Sequence, residues 1–323
     1  MKTRTAQGRR ASGEIKLKAD RQKSRRIHLP ALSLKTRAAA TMCLVLSAVL
    51  VLGLLFARLL VRQEEELVLR EYLSQTRYAA ATVDAFLRRA RRELTDISRL
   101  PELGDPETDL MAKMRVLRYA TVGLSEVFTY SIALLDQNGT VIWAEPDQGR
   151  VGTNLRDRPH VAAAWETKAP VVTDHILTLP AMPPAIAVAA PILDQHGAVV
   201  GALDGTIALD AATIRDVVGI SPLPEPGRQV ELVDQEGRII VLSRDQPPAQ
   251  LSPYSPLISR LLAEGRGGIF RNPTTAAGVK IGEIVAFVPL TEASWGLLIR
   301  QPEAILLGPV RRFSQFAIAV MFL

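Results

Sequence analysis

The chain has 323 residues, 48% of them apolar and only 5% aromatic, so it can bury a large and mainly aliphatic core. Its net charge of +6 is unevenly divided: residues 1–37 carry twelve Lys or Arg against Glu14 and Asp20, which leaves the remaining body near −4. A basic tail on a mildly acidic body excludes a nucleic-acid-binding globule, whose cations must lie on a folded face, and the single cysteine, Cys43, excludes an intramolecular disulfide and a cysteine zinc site.

Residues 1–37 read as a basic cytoplasmic tail and residues 38–61 as a transmembrane helix. The run "AAATMCLVLSAVLVLGLLFA", 38 to 57, holds twenty residues without a charge. At about 1.5 Å per residue it spans a hydrocarbon layer of ~30 Å. A cleaved signal peptide has a shorter apolar region, ~7–15 residues, and "FARLLVR" is a poor cleavage site. The positive-inside rule then puts the tail in the cytoplasm of a bacterial cell and residues 63–312 outside its inner membrane, periplasmic or extracellular.

Residues 63–124 predict a stalk helix and a connecting helix. From Gln63 to Leu100 there is neither Gly nor Pro. Small or apolar residues recur at Leu69, Leu73, Thr76, Ala80, Val83, Leu87, Ala90, Leu94 and Ile97, in alternating steps of four and three. That is a heptad seam. It packs either on the chain's own sheet or on a second copy of the helix, and a homodimer through the stalk is expected. "PELGDP" at 101–106 ends the helix, and a second helical stretch runs from about 107 to 124.

Three related turns follow: "LLDQNGTVIW" at 134–143, "ILDQHGAVVG" at 192–201 and "LVDQEGRIIV" at 232–241. In each, Asp caps the turn and Gly takes the φ > 0 position that closes a hairpin between two β-rich arms. Three hairpins predict antiparallel sheet. Between the first two lies a helix started near Arg158-Pro159 and stopped at Pro170, then a strand "VVTDHIL" and a Pro-rich loop. "DAATIRDVVG" predicts a helix capped by Asp210, and "ISPLPEPG" at 220–227 marks a boundary. The plan then repeats in reduced form: hairpin, helix "SPLISRLLAEG", and strands "GGIFRN", "GEIVAFVPL" and "WGLLIRQP". An exit helix begins near Glu303, and "FSQFAIAVMFL" reads as the opening of a second membrane helix. The fold class is α+β: a long N-terminal membrane-anchored helix, then modules at 125–227 and 228–302 with antiparallel sheets, then the exit segment 303–323.

This order of features, from "SIALLDQNGTVI" through "VGTNLRDRPHVAAAW", "PVVTD" and "AVAAPILDQHGAVVGALDGTIAL" to "VAFVPLTEASWGLLIRQP", resembles the double Cache family of bacterial extracytoplasmic sensors. The resemblance covers roughly residues 63–312. It implies two PAS-like modules, a membrane-distal one that binds a small ligand and a membrane-proximal one. It also implies an output that is most simply a histidine kinase, with a chemoreceptor, a diguanylate cyclase or a stand-alone tethered binding protein as alternatives. The amino-acid-binding branch of the family carries Arg-Pro-Trp-Tyr on its pocket helix and an Asp on a strand of the distal sheet. Here Arg158-Pro159 matches, His160 and Val161 replace the aromatics, and Thr206 stands at the Asp position with Asp204 two residues earlier.

The candidate ligand residues are therefore Arg158, His160, Thr173, Asp174 and Thr206. A guanidinium beside a helix N-terminus favours a carboxylate, which it can grip with two parallel hydrogen bonds. His160 adds a donor, and Thr173, Asp174 and Thr206 line the opposite wall. With no Asp at position 206 to hold an α-ammonium group, a small organic acid is favoured over an amino acid. The alternative for Arg158 is a structural ion pair with Asp157 or Asp174. No catalytic motif, cofactor site or metal site is expected. The one candidate metal set, His160, Asp174 and His175, lacks paired histidine spacing, and no Gly-x-Ser-x-Gly elbow occurs.

Overall fold

The computed structural model describes residues 34–122, 126–147, 149–174, 177, 185–208, 217, 226–242, 250–276 and 279–321. The basic tail up to residue 33, His175, the Pro-rich loop, most of the helix expected after Asp210 and most of the 220–227 boundary lie outside these residues. The chain divides into two compact units, Met1–Gly53 and Leu54–Leu323.

In the first unit the described residues are helical, the opening of helix α1 (Leu34–Ser98). Met42, Leu44, Val45, Leu46 and Val49 are exposed. The hydroxyl groups of this apolar stretch bond back along the helix: Thr41 Oγ1 to the carbonyls of Arg37 and Ala38, and Ser47 Oγ to that of Cys43 at 2.8 Å. Both hydroxyl groups thus find their acceptors within the helix itself. Helix α1 is long and apolar enough to cross a membrane.

The second unit holds the rest of α1, a short helical turn α2 (Pro101–Gly104) and helix α3 (Leu110–Ala120), whose N-cap Asp109 accepts from the Ala112 amide at 2.7 Å. Two five-stranded antiparallel sheets follow. The first contains β1 (Ser131–Leu135), β2 (Val141–Glu145), β3 (Val171–Val172), β4 (Ala185–Leu193) and β5 (Val199–Ala208), in the order β2-β1-β5-β4-β3, with helix α4 (Pro159–Thr167) between β2 and β3. The second contains β6 (Gln229–Val233), β7 (Ile239–Leu242), β8 (Gly268–Ala276), β9 (Val279–Pro289) and β10 (Gly296–Pro302), in the order β7-β6-β10-β9-β8, with helix α5 (Ser255–Ala263) between β7 and β8. The same topology occurs twice. Helices α6 (Glu303–Leu306) and α7 (Gly308–Met321) close the unit.

The repeated Asp-Gln-x-Gly stretch is one turn built three times. Asp136 Oδ1 accepts from the amides of Asn138 and Thr140, Asp194 Oδ1 from His196 and Ala198, and Asp234 Oδ1 from Glu236 and Arg238, all within 2.8–2.9 Å. Gly139, Gly197 and Gly237 sit at φ 81°, 76° and 77°, where a side chain would be strained. Each turn is preceded by a register shift, at Leu134/Leu135, Ile192/Leu193 and Leu232/Val233. One extra residue per hairpin is the bulge such loops require.

The heptad seam is spent within the chain. Ala80, Val83, Leu87, Ala90, Leu94 and Ile97 are buried in one cluster with Ile132, Leu134, Val188, Leu203 and Ile207 of the first sheet and Leu232, Ala286, Leu297 and Ile299 of the second. Of the two ways open to the seam, the chain uses its own sheets. Ala80 and Ala90 let the helix backbone lie close to them, while Leu87 and Leu94 fill the space, each contributing about 2–5 kcal/mol by the cost of truncation. The opposite face of the first sheet packs on α4 through Ala133, Leu135, Val161, Ala164, Ala189 and Ala202. The second sheet packs on α5 in the same way.

Candidate functional site

The α4-facing side of the first sheet is largely apolar among the described residues. Alternation along β5 puts Ala202, Asp204 and Thr206 on that side, and Gly205 between the last two faces the Phe128 ring, 2.4 Å from where a Cβ would stand. Ser131 on β1 pairs with Thr206, and Thr206 pairs with Ala187 on β4. The Thr173 amide donates to the Ala187 carbonyl at 2.9 Å. Ser131, Thr206, Ala187 and Thr173 thus form one row across the sheet, with Asp204 in the neighbouring row beside Ala133 and Ala189.

A loop folds back from β2 to reach this row. Asp147 Oδ1 accepts from the amides of Gly149 and Arg150. The Gly152 amide donates to Val141, and the Val141 amide to Thr153. This turn delivers the Arg150 guanidinium to the sheet: Nη1 donates to Ser131 Oγ at 2.6 Å and to Thr206 Oγ1 at 3.0 Å, and Nη2 to Asp204 Oδ2 at 2.6 Å. On the other side, His160 in the first turn of α4 places Nε2 3.0 Å from Asp204 Oδ1.

Asp204, 1% exposed, is the centre of the cluster. Burial pushes its carboxyl upward, but the hydrogen bond and charge of His160 and then of Arg150 outweigh that and hold it at about 2. The carboxylate is an acceptor only, so His160 Nε2 carries the hydrogen that joins them. The Nδ1 atom of His160, also buried, has no hydrogen-bond partner among the described residues. The charge of Asp204 is already paired with the Arg150 guanidinium.

Of the residues expected from sequence, His160 and Thr206 belong to this cluster and Thr173 lies in its row. Arg158 is the N-cap residue of α4, half-buried, and its guanidinium forms no ion pair or hydrogen bond among the described residues. The alternative pairing with Asp157 or Asp174 is not made there. The Asp174 side chain is exposed, and its carbonyl is the engaged group, accepting from Trp295 Nε1 at 3.0 Å. Sequence reasoning missed Arg150 and Ser131, and took Asp204 only as a neighbour of the aligned position. Alternation on β1 and β5 could have grouped Ser131, Asp204 and Thr206; nothing in the sequence marks Arg150. No group of three metal-ligating side chains occurs among the described residues.

The second sheet has its own buried ion pair. Glu231 accepts from Arg300 Nε at 2.8 Å and from Ser252 Oγ at 2.8 Å, while Arg300 also lies near Glu283, which bonds the Tyr254 hydroxyl. Both Glu231 oxygens are satisfied. Idle buried atoms occur by both sheets, His160 Nδ1 at the first and Gln229 Oε1 and Gln301 Oε1 on the second, and the first also has the uncommitted guanidinium of Arg158.

The Cache domain profile matches residues 56–310. No curated protein matches the chain by sequence. Among solved structures, the sensor domain of the V. cholerae histidine kinase DctB is similar, with a TM-score of 0.53 and 17% identity over 74% of this chain and 98% of that one. The ligand-binding domain of the Pseudomonas fluorescens chemoreceptor CtaA in complex with L-isoleucine has a TM-score of 0.57 and 16% identity over 77% of this chain and 98% of that one. An extracellular ligand binding receptor from Desulfohalobium retbaense has a TM-score of 0.55 and 12% identity over 70% of this chain, which spans 39% of that receptor. With its profile matched over most of its length and two antiparallel modules behind a long apolar helix, the chain belongs to the Cache domain family of extracytoplasmic sensors, in its double form.

Proposed function

We propose that residues 63–312 are the extracytoplasmic ligand-sensing input of a membrane signalling receptor, with the first sheet as the membrane-distal module (125–227) and the second as the membrane-proximal one (228–302). The ligand is a small organic acid. Its carboxylate is gripped by Arg158 at the N-terminus of α4, with His160 Nδ1 as a further polar contact, and Thr173 and Thr206 in the facing row. The carrying observation is the division of labour between two arginines. Arg150 is consumed by Asp204, Ser131 and Thr206, whereas Arg158 is half-buried beside a helix N-terminus with no partner among the described residues. An amino acid is disfavoured because the charge of Asp204 is already paired with Arg150 rather than left for an ammonium group.

The test is calorimetry on the full chain in nanodiscs with acetate, lactate, malate, succinate, alanine and glutamine. A hydroxy- or dicarboxylate should bind and the amino acids should not, and Arg158→Ala should abolish the binding. Binding that survives Arg158→Ala overturns the assignment.

The output we propose is a histidine kinase; a chemoreceptor is the alternative, and a neighbour of each kind is found. Residues 1–323 fused in place of the sensor of a histidine kinase should make its autophosphorylation respond to the acid that binds. The N-terminus lies in the cytoplasm. Two copies associate through the outward face of the stalk, where Leu67, Ser74, Tyr78, Ala81 and Ala85 recur at heptad spacing and are exposed.

A further inference from the structure

The turn between β9 and β10, residues 290–295, touches three parts of the molecule. It is closed by the Leu290 amide donating to the Trp295 carbonyl at 2.8 Å. On one side it is fastened to the stalk. Asp84, buried on α1, accepts from the Thr291 amide at 2.9 and 3.1 Å, from Thr291 Oγ1 at 3.0 Å and from the Glu292 amide at 3.0 Å. Three donors converge on one carboxylate, an arrangement that charge makes stronger than its neutral equivalent. Glu292 answers with ion pairs to Arg88 at 2.7 Å and Arg91 at 2.9 Å, about one and two turns further along the same helix.

On the other side the turn holds the first sheet. Trp295 is fully buried in the cluster shared by the stalk and both sheets. Its indole Nε1 donates to the Asp174 carbonyl at 3.0 Å. That carbonyl is one residue beyond Thr173, which ends the Ser131–Thr206–Ala187–Thr173 row of the candidate site. From the site row to the stalk helix there are thus four steps: Thr173, the Asp174 carbonyl, the Trp295 indole, and the turn clamped by Asp84.

We propose that this turn is the relay that couples the site on the first sheet to the stalk helix and the second sheet. It rests on the ligand-sensing reading of that site. A ligand that shifts the Thr173–Asp174 backbone must either stretch the Trp295 hydrogen bond or carry the turn with it. Because Thr291 and Glu292 are bonded to Asp84, Arg88 and Arg91, a moving turn shifts the stalk against the sheets. Coupling of this kind is reciprocal, so loosening the clamp on the stalk loosens the row on the first sheet. Asp84, Thr291 and Trp295 are positioning residues in this scheme and touch no ligand.

The experiment needs no ligand, so its failure is separable from failure of the calorimetric screen. Hydrogen exchange is followed by mass spectrometry on the full chain in nanodiscs. In Asp84→Asn an amide group meets the converging donors with its own N–H groups. The expected result is several-fold faster exchange both at 290–296 and in the first sheet at 171–174 and 185–189. In the reverse direction, Thr173→Val should change exchange at 84–92 and at Thr291 and Glu292. Trp295→Phe should uncouple the two regions, and should that variant not fold, Thr291→Val, which removes a single hydroxyl, serves in its place. Effects of Asp84→Asn and Thr291→Val confined to 80–92 and 288–296, with 171–174 unmoved, overturn the proposal.

Discussion

His160 Nε2 and Asp204 Oδ1 lie 3.0 Å apart, and both side chains are closed to solvent. With Arg150 on the other oxygen at 2.6 Å, the carboxylate is held between two nitrogen donors that themselves have little access to water. Removing one member of such a set leaves the others buried and uncompensated, which is worse than never having buried them. Asp204→Ala should therefore destabilise the chain by about 3–5 kcal/mol in urea unfolding. Thr206→Val, which deletes only a hydroxyl partner of Arg150, should cost about 1 kcal/mol. Equal effects of the two would mean that the ion pair contributes no more than a neutral hydrogen bond.

The same carboxylate sets a pH dependence. Its folded value of about 2 lies below the ordinary 3.8, because His160 and Arg150 together outweigh the upward push of burial. A carboxyl depressed on folding contributes stability above its unfolded value, and that contribution is lost as pH falls through the folded one. The stability difference between the native chain and Asp204→Asn should shrink by roughly 2 kcal/mol as pH falls from about 4 to 2. Taking the difference cancels the other carboxyl groups. A gap that widens on acidification would contradict the assigned direction.

The stalk, the three hairpins and the doubled sheet were legible because each rests on local chemistry: a period of 3.5 with no helix breakers, or an Asp and a Gly at fixed offsets. Whether the seam of α1 faced a sheet or a second helix was not, since Ala80, Ala90 and Leu94 suit both. His160 and Thr206 were found through their places on a helix and a strand. Arg150 was invisible for a physical reason. It reaches the sheet from a loop whose course depends on Asp147 and on backbone bonds to Val141 and Thr153, and no periodicity passes through such a loop.

Because the seam is occupied, the stalk has only its outward face to offer a second copy. In a Cys43→Ser background, cysteines at Ser74, Ala81 or Ala85 of the full chain in membranes should form disulfides between copies. Cysteines at Val83 or Leu94, buried against the sheets, should not. Crosslinks at Val83 and Leu94 without any at Ala81 and Ala85 would require the sheets to leave the seam, and would rule out the outward-face dimer.

Arg150 and Arg158 are eight positions apart and make opposite predictions. Arg150 is bound to Ser131, Thr206 and Asp204, so Arg150→Ala strips a buried carboxylate of a charge partner and should cost about 3–5 kcal/mol. Arg158 has no ion-pair or hydrogen-bond partner among the described residues. Arg158→Ala should leave stability within about 0.5 kcal/mol, as a substitution away from packed or paired groups does. Its effect should appear only in the presence of a binding acid, where the native chain gains thermal stability and the variant does not. Ligand stabilisation grows as RT ln(1 + [L]/Kd), so at an acid concentration about a hundredfold above Kd the native chain should gain roughly 2.7 kcal/mol. A destabilised Arg158→Ala without ligand would make the residue a structural partner rather than a ligand contact, and an Arg158→Ala that still gains stability from the acid would move the site elsewhere.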